Sequence, residues 1–165
     1  MKERKVTHQF GPIYNNDSKI LILGSFPSVK SRANDFYYMH PQNRFWKLLA
    51  LIYNDDFTTP DIEKKKKLLL KHHIALYDVI ESCVIKGSSD STIKDIETAN
   101  IKEILNHSSI KSIYLNGRKA ESVFLKYFDD LIDYAKYLPS TSPANARYSL
   151  EDLYDEWKKI KNQDD

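Results

Sequence analysis

The sequence predicts an α/β fold, an open and mostly parallel sheet with helices on both faces. Two patterns point to it. Short apolar runs bounded by turn residues alternate with longer stretches whose apolar residues recur at helical spacing. Strands that alternate with helices pair in parallel, because each helix serves as the crossover between them. The 165 residues fit one domain, taken here as a single unit over 1–165 with its core from about residue 8 to residue 160.

Lys19-Ile20-Leu21-Ile22-Leu23 reads as a buried strand that stops at Gly24. From Arg44 to Tyr53, Phe45, Trp46, Leu48, Leu49 and Ile52 follow helical spacing and predict a helix that buries its first two aromatics. Thr59 as N-cap and Pro60 at the first helical position open the next helix, which runs to about Lys71. Its lysines Lys64 to Lys67 read as a solvated face. Ile74 to Ile80 is a second strand and Asn100 to Asn106 a short helix. Ile110 to Leu115 is a third strand, and Arg118 to Phe128 a helix with Val123, Phe124, Tyr127 and Phe128 on one stripe. Lys136 to Leu138 is a short fourth strand. The last helix spans Ser149 to about Lys161; Ser149 with Asp152 resembles a capping box, and Leu150, Leu153, Tyr154, Trp157 and Ile160 face inward.

Composition narrows the classes. Only four glycines occur, Gly11, Gly24, Gly87 and Gly117, where average usage predicts roughly twelve. Their scarcity excludes linker and low-complexity chains. No apolar run approaches the roughly 18 residues of a membrane span. The charged start Met1-Lys2-Glu3-Arg4-Lys5 has no apolar stretch behind it and does not read as a secretory signal. The single cysteine, Cys83, cannot close an internal disulfide or hold an iron–sulfur cluster alone. A cytoplasmic protein is expected. The net charge of +2 calls for no nucleic-acid partner by itself, so any basic contact surface must be local.

Ligands of open α/β sheets bind beyond the carboxyl ends of the strands. Gly24-Ser25-Phe26-Pro27-Ser28 follows the first strand; it has neither the dinucleotide-binding nor the Walker spacing, and is either a plain turn or a backbone cradle. Tyr37-Tyr38-Met39-His40-Pro41-Gln42-Asn43-Arg44-Phe45-Trp46 concentrates aromatic, amide and basic groups. Tyr38 lies outside the helical periodicity and suits a stacking platform; His40 reads as a hydrogen-bonded structural residue, and Asn43 as an N-cap or a site residue. The loop Ser82 to Ser91 carries Gly87, Ser88, Asp90 and Ser91, and the stiff segment Pro139 to Arg147 ends on a basic residue. No catalytic Ser/His/Asp set and no metal-ligand spacing is present.

These stretches in this order resemble the uracil-DNA glycosylase superfamily, and within it the hypoxanthine-DNA (DNA-deoxyinosine) glycosylase family. Leu23 to Ser28, Tyr37 to Trp46, Asp78 to Cys83 with Gly87 to Ser91, Asn116-Gly117-Arg118-Lys119-Ala120 and Leu138 to Ala146 carry the likeness, which spans about His8 to Ile160. The resemblance implies a three-layer α/β/α sandwich around a central four-stranded, mostly parallel sheet. It implies a DNA repair enzyme of base excision, a monofunctional hydrolase of the N-glycosidic bond of deaminated bases that acts on flipped nucleotides without a cofactor. Related mismatch-specific uracil glycosylases place a water-positioning asparagine in the first motif, at the position where Phe26 stands here. In the hypoxanthine branch the essential asparagine lies nineteen positions after the motif-one glycine, which is Asn43.

The resemblance thus implies Asn43 as the catalytic residue and Gly24, Ser25, Phe26, Pro27, Ser28, Tyr38 and Asn116 around the base. It further implies a pocket loop at Gly87, Ser88, Asp90 and Ser91, and DNA contacts at Ser142, Pro143, Ala144, Asn145 and Arg147, with Ala144, Asn145 and Arg147 as candidate wedges. The expected partner is DNA containing a deaminated base, met by a monomer. Three alternatives stay open: a uracil- or xanthine-preferring glycosylase on the same scaffold, a non-catalytic reader of DNA lesions, and a hydrolase of free nucleosides.

Overall fold

The computed structural model describes residues 3–86 and 92–164. Its centre is a parallel sheet of β2 (Ile20–Gly24), β3 (Ile74–Asp78), β6 (Ser112–Asn116) and β7 (Ala135–Leu138), in the order β3-β2-β6-β7. The first three of these strands are buried from end to end, as their apolar runs require of strands covered on both faces. In register, Gly24 pairs with Asp78, Leu23 with Leu115, and Asn116 with Leu138. The three-layer sandwich expected from the sequence is the fold observed.

Three helices lie between β2 and β3: α1 (Val29–Asn34), α2 (Phe45–Tyr53) and α3 (Ile62–Lys71). After β3 come α4 (Ile101–Asn106), ahead of β6, and α5 (Arg118–Tyr127), ahead of β7; α6 (Leu150–Trp157) closes the chain against α2. The step from β2 to β3 and the step from β6 to β7 run in opposite directions across the sheet. Right-handed crossovers therefore set their helices on opposite faces. The direction reverses beside β2, so the crevice outside Gly24 and Asn116 is the topological switch point, where such sheets bind ligands.

The predicted strand over Ile74 to Ile80 is two strands. At Val79 the chain leaves the parallel sheet, with Val79 N–H donating to the Gly24 carbonyl (2.9 Å) and Ile80 N–H to the Ser25 carbonyl (3.2 Å). It continues as β4 (Ile80–Lys86), the centre of an antiparallel sheet between β1 (Glu3–Thr7) and β5 (Lys94–Thr98). Both edge strands are largely exposed and rich in charge, the composition that blunts sheet edges, and so neither carries an apolar strand signature.

The helices differ from expectation in several places, beginning with α1, which the sequence patterns did not point to. The helix α3 starts two residues late: Asp61 caps it by accepting from Lys64 N–H, and Thr59 Oγ1 accepts from Asp61 N–H. Lys65 is also not part of a solvated face. It is 5% exposed, donates to the Thr59 carbonyl and lies 5.1 Å from the Trp46 ring. The capping box at Ser149 and Asp152 is present, whereas Tyr127 on the α5 stripe is exposed.

Candidate active site

Gly24 ends β2 at the switch point. A Cβ built there would lie 2.5 Å from Asp78 Oδ1 and 2.8 Å from the Tyr38 hydroxyl oxygen, so only glycine fits between them. Asp78 ends β3, and its other oxygen, Oδ2, lies 2.8 Å from His8 Nε2. Both side chains are almost wholly buried, with exposures of 5% and 1%. A carboxylate this deep is stable only when paired. The His8 ring is walled by Phe10, Phe26, Tyr37 and Tyr77, with centroids between 4.7 and 6.2 Å away.

Tyr38 adopts φ of +54°, a left-handed conformation that a bulky residue rarely takes and that tends to mark functional sites. Its ring stacks on Phe45 at 4.1 Å, and Phe45 is fully buried. Its hydroxyl is buried without a well-formed hydrogen bond. Burial first, and the charge of Asp78 second, push the phenol well above its ordinary range, while the neighbouring Asn116 amide acts the other way. An aromatic ring backed on one face and a phenol proton held beside a carboxylate therefore look onto the same crevice.

Asn43 sits on the turn before α2. Its N–H donates to the His40 carbonyl at 2.9 Å, and its Oδ1 accepts from Phe45 N–H at 3.0 Å, which fixes the amide plane. The N-cap position itself belongs to Arg44. His40 is the structural histidine expected, its Nδ1 accepting from Gln42 N–H at 3.1 Å.

Arg44 ties this turn to the loop after β7. Its N–H donates to the Thr141 carbonyl at 3.1 Å. Its guanidinium donates to the carbonyls of Ser142 (2.8 Å), Asn145 (3.1 Å) and Tyr148, with a long bond to Thr141 (3.4 Å). The planar fork of an arginine suits such convergence of carbonyls. The loop is further held from within: Ala144 N–H donates to Ser142 Oγ, and Asn145 Nδ2 to the Ser140 carbonyl. Gly117, at φ of +98°, lets α5 begin where a Cβ would meet Ser140 at 3.0 Å.

The candidate residues that lie within the described chain differ in what their side chains do. Asn116 is occupied at both ends by Thr141: its Nδ2 donates to Thr141 Oγ1 and its Oδ1 accepts from Thr141 N–H, both at 3.1 Å. Ser28 caps α1 by accepting from Ser31 N–H. Pro27 is buried, and Ser25 contributes its carbonyl to the sheet switch. Asn145 turns its amide into the loop, whereas Ala144 and Arg147 are exposed. Gly87, Ser88, Asp90 and Ser91 lie outside the described residues. Asp78, His8 and Arg44 were not singled out as site residues from the sequence. A charged residue closing the apolar run Ile74-Ala75-Leu76-Tyr77 was the signal for Asp78. His8 has no comparable local signal, because its partner is seventy residues away. Among the described residues no three His, Cys, Asp or Glu side chains gather as a metal site, and no helix is long and apolar enough to cross a membrane.

The family model described as the uracil DNA glycosylase superfamily matches residues 12–164. A protein of Methanosarcina acetivorans named hypoxanthine DNA glycosylase is 34% identical over 154 residues, 92% of this chain and 95% of its own length. One of Methanosarcina barkeri with the same name is 34% identical over 113 residues, 67% of this chain and 71% of its own length. The solution NMR structure of a Methanosarcina acetivorans protein, described as a candidate uracil DNA glycosylase, superposes with a TM-score of 0.82 at 32% identity, covering 94% of this chain and 97% of that one. With most of its length matched and its parallel sheet presenting the motif residues at the switch point, the chain belongs to the uracil DNA glycosylase superfamily.

Proposed function

We propose that this protein excises deaminated bases from DNA, hypoxanthine foremost, by hydrolysis of the N-glycosidic bond at a flipped nucleotide. The observation that carries the reading is the buried Asp78 carboxylate at the switch point, held by His8 on one oxygen and facing Gly24 with the other. A carboxylate accepts hydrogen bonds and cannot donate them. Hypoxanthine offers an N1–H where adenine offers a lone pair. Adenine therefore leaves the acceptor unpaired and repelled, a strong discrimination in a desolvated site. Uracil and xanthine carry an equivalent ring N–H, which accounts for activity on them as a lesser outcome of the same geometry.

A deaminated base pairs poorly, so flipping it out of the stack costs less than flipping a normal one. Tyr38, backed by Phe45, supplies the stacking face, with base–aromatic stacking on the order of 1–3 kcal/mol. Bond cleavage leaves an oxocarbenium-like sugar and an anionic base. Asn43 is no strong base. Its Oδ1 is anchored by one N–H and keeps a second lone pair, which holds the attacking water under the anomeric carbon and points a dipole at the developing charge. The Ser142 to Arg147 loop, locked to Asn43 through Arg44, meets the DNA. The reading is of a monomer at work in the cytoplasm.

Labelled oligonucleotides containing deoxyinosine, deoxyuridine, deoxyxanthosine or ethenoadenine test it. Strand cleavage by hot alkali after incubation is expected first at inosine. No abasic product from any of them would leave a lesion reader as the better reading, and release of hypoxanthine from free inosine would favour a nucleoside hydrolase.

A further inference from the structure

Outside the site, β1 and α1 border a shallow, open groove of about 430 Å³ lined by Arg4, Lys5, Thr7, Gln9 and Arg32. Among the described residues no carboxylate lines it. Lys5 is already paired with Glu97 at 2.9 Å, whereas among the described residues Arg4 and Arg32 have no carboxylate partner. The Nε of Arg32 is buried without a hydrogen-bond partner. Buried N–H donors are normally paired, and this one is not, on a side chain that is itself only partly buried. Arg4 and Arg32 lie close enough for the charge of Arg4 to lower the pKa of Arg32, beside the larger effect of burial. Two repelling cations around a concave surface are relieved by an anion.

The groove shares its walls with the site. Arg32 lies 6.0 Å from the centroid of Phe26 in the motif after β2. Thr7 lines the groove, and the next residue, His8, holds Asp78. We propose that this groove grips a backbone phosphate of the DNA beside the flipped nucleotide, through Arg4 and Arg32. It is a second contact, separate from the loop at Ser142 to Arg147, and it rests on the glycosylase reading. The protein's small net charge is then no obstacle, because two arginines without a carboxylate partner among the described residues line one groove beside the site. Phosphodiester is the matching ligand: it is anionic, offers several acceptor oxygens to two guanidinium groups, and comes with any DNA that reaches the crevice.

Each phosphate neutralised by a cation releases counterions, which sets the slope of log Kobs against log salt at about −0.9 per contact in duplex DNA. The test measures that slope for the full-length protein on a duplex carrying a stable abasic analogue. The double variant, which gives up the one phosphate, is expected to make it shallower by about 0.9, and Arg4→Gln and Arg32→Gln each by part of that. Lys111→Gln, just ahead of β6 at the opposite end of the sheet from the site, removes the same charge and is expected to keep the parental slope. Parental slopes in Arg4→Gln and in the folded Arg32→Gln would overturn the proposal. So would an equal change in Lys111→Gln, which would reduce the effect to net charge. Arg4 is exposed on an edge strand, so its variant keeps the test readable if Arg32→Gln unfolds. Binding is measured apart from excision, so failure of the parent to excise any base would refute the glycosylase reading and leave the slopes to decide on the groove.

Discussion

Replacing Gly24 by alanine adds one methyl group at the most crowded point of the site. The new Cβ would stand 2.5 Å from Asp78 Oδ1 and 2.8 Å from the Tyr38 hydroxyl, against 3.4 Å for ordinary contact. The carboxylate must then retreat by about 0.9 Å and the phenol by about 0.6 Å. Neither retreats easily. Tyr38 is stacked on the fully buried Phe45, and Asp78 is held by His8 at 2.8 Å. Overpacking costs about 1–3 kcal/mol, and a weakened hydrogen bond to a charged group about 1.5–3. Partial relaxation brings the expected loss to about 2–4 kcal/mol, or roughly 5–15 °C in Tm for a chain of this size. Urea unfolding followed by circular dichroism reads the loss as a lower midpoint with an unchanged slope. Excision should fall by about 100-fold, because small misplacements of positioned groups are amplified in rate. In a cycle with Asp78→Ala, the double variant should lose less than the two singles together, since the alanine at 78 removes the clash. Stability within about 0.5 kcal/mol of the parent, the ordinary range for surface changes, would refute the account.

Asn43→Ala is expected to abolish excision while leaving affinity for the abasic product largely intact; near-normal single-turnover excision would remove Asn43 from the chemistry. Tyr38→Ala should weaken excision more than DNA binding, and equal losses in the two would make Tyr38 a scaffold residue. Arg44→Lys keeps the charge but cannot span the carbonyls of Ser142, Asn145 and Tyr148, so it should cost about 2 kcal/mol and speed amide exchange across residues 139–148; parental exchange there would refute the tether. Asp55 is held well below the usual carboxylate range by Lys71 first and by His72 second. Its contribution to stability is therefore complete above its unfolded pKa of about 3.9 and is lost as pH falls below it. The gap between the parent and Asp55→Asn should be flat above about pH 5 and shrink on acidification, and a gap that widens in acid would reverse the sign.

The sequence by itself determined the central sheet, the helices α2 to α6 and the family, but not α1. The apolar runs Ile20 to Leu23 and Ile74 to Tyr77, and the amphipathic spacing of α2, α5 and α6, are local patterns that burial on both faces or on one stripe demands. Tyr38 became a candidate because it departs from that spacing inside a motif, and Asn43 through the resemblance to the hypoxanthine branch. The second sheet was not legible, since β1 and β5 are charged edge strands whose pairing with β4 is set by tertiary register. Only the tertiary structure decided that Asn116 is clamped to Thr141, that Arg44 joins the Asn43 turn to the loop after β7, and that His8 holds Asp78. Each of these is a hydrogen bond between residues 25, about 100 or 70 positions apart in the chain. A hydrogen bond of that reach leaves no periodicity in the sequence, because it depends on where the backbone carries two distant residues and on the removal of water between them.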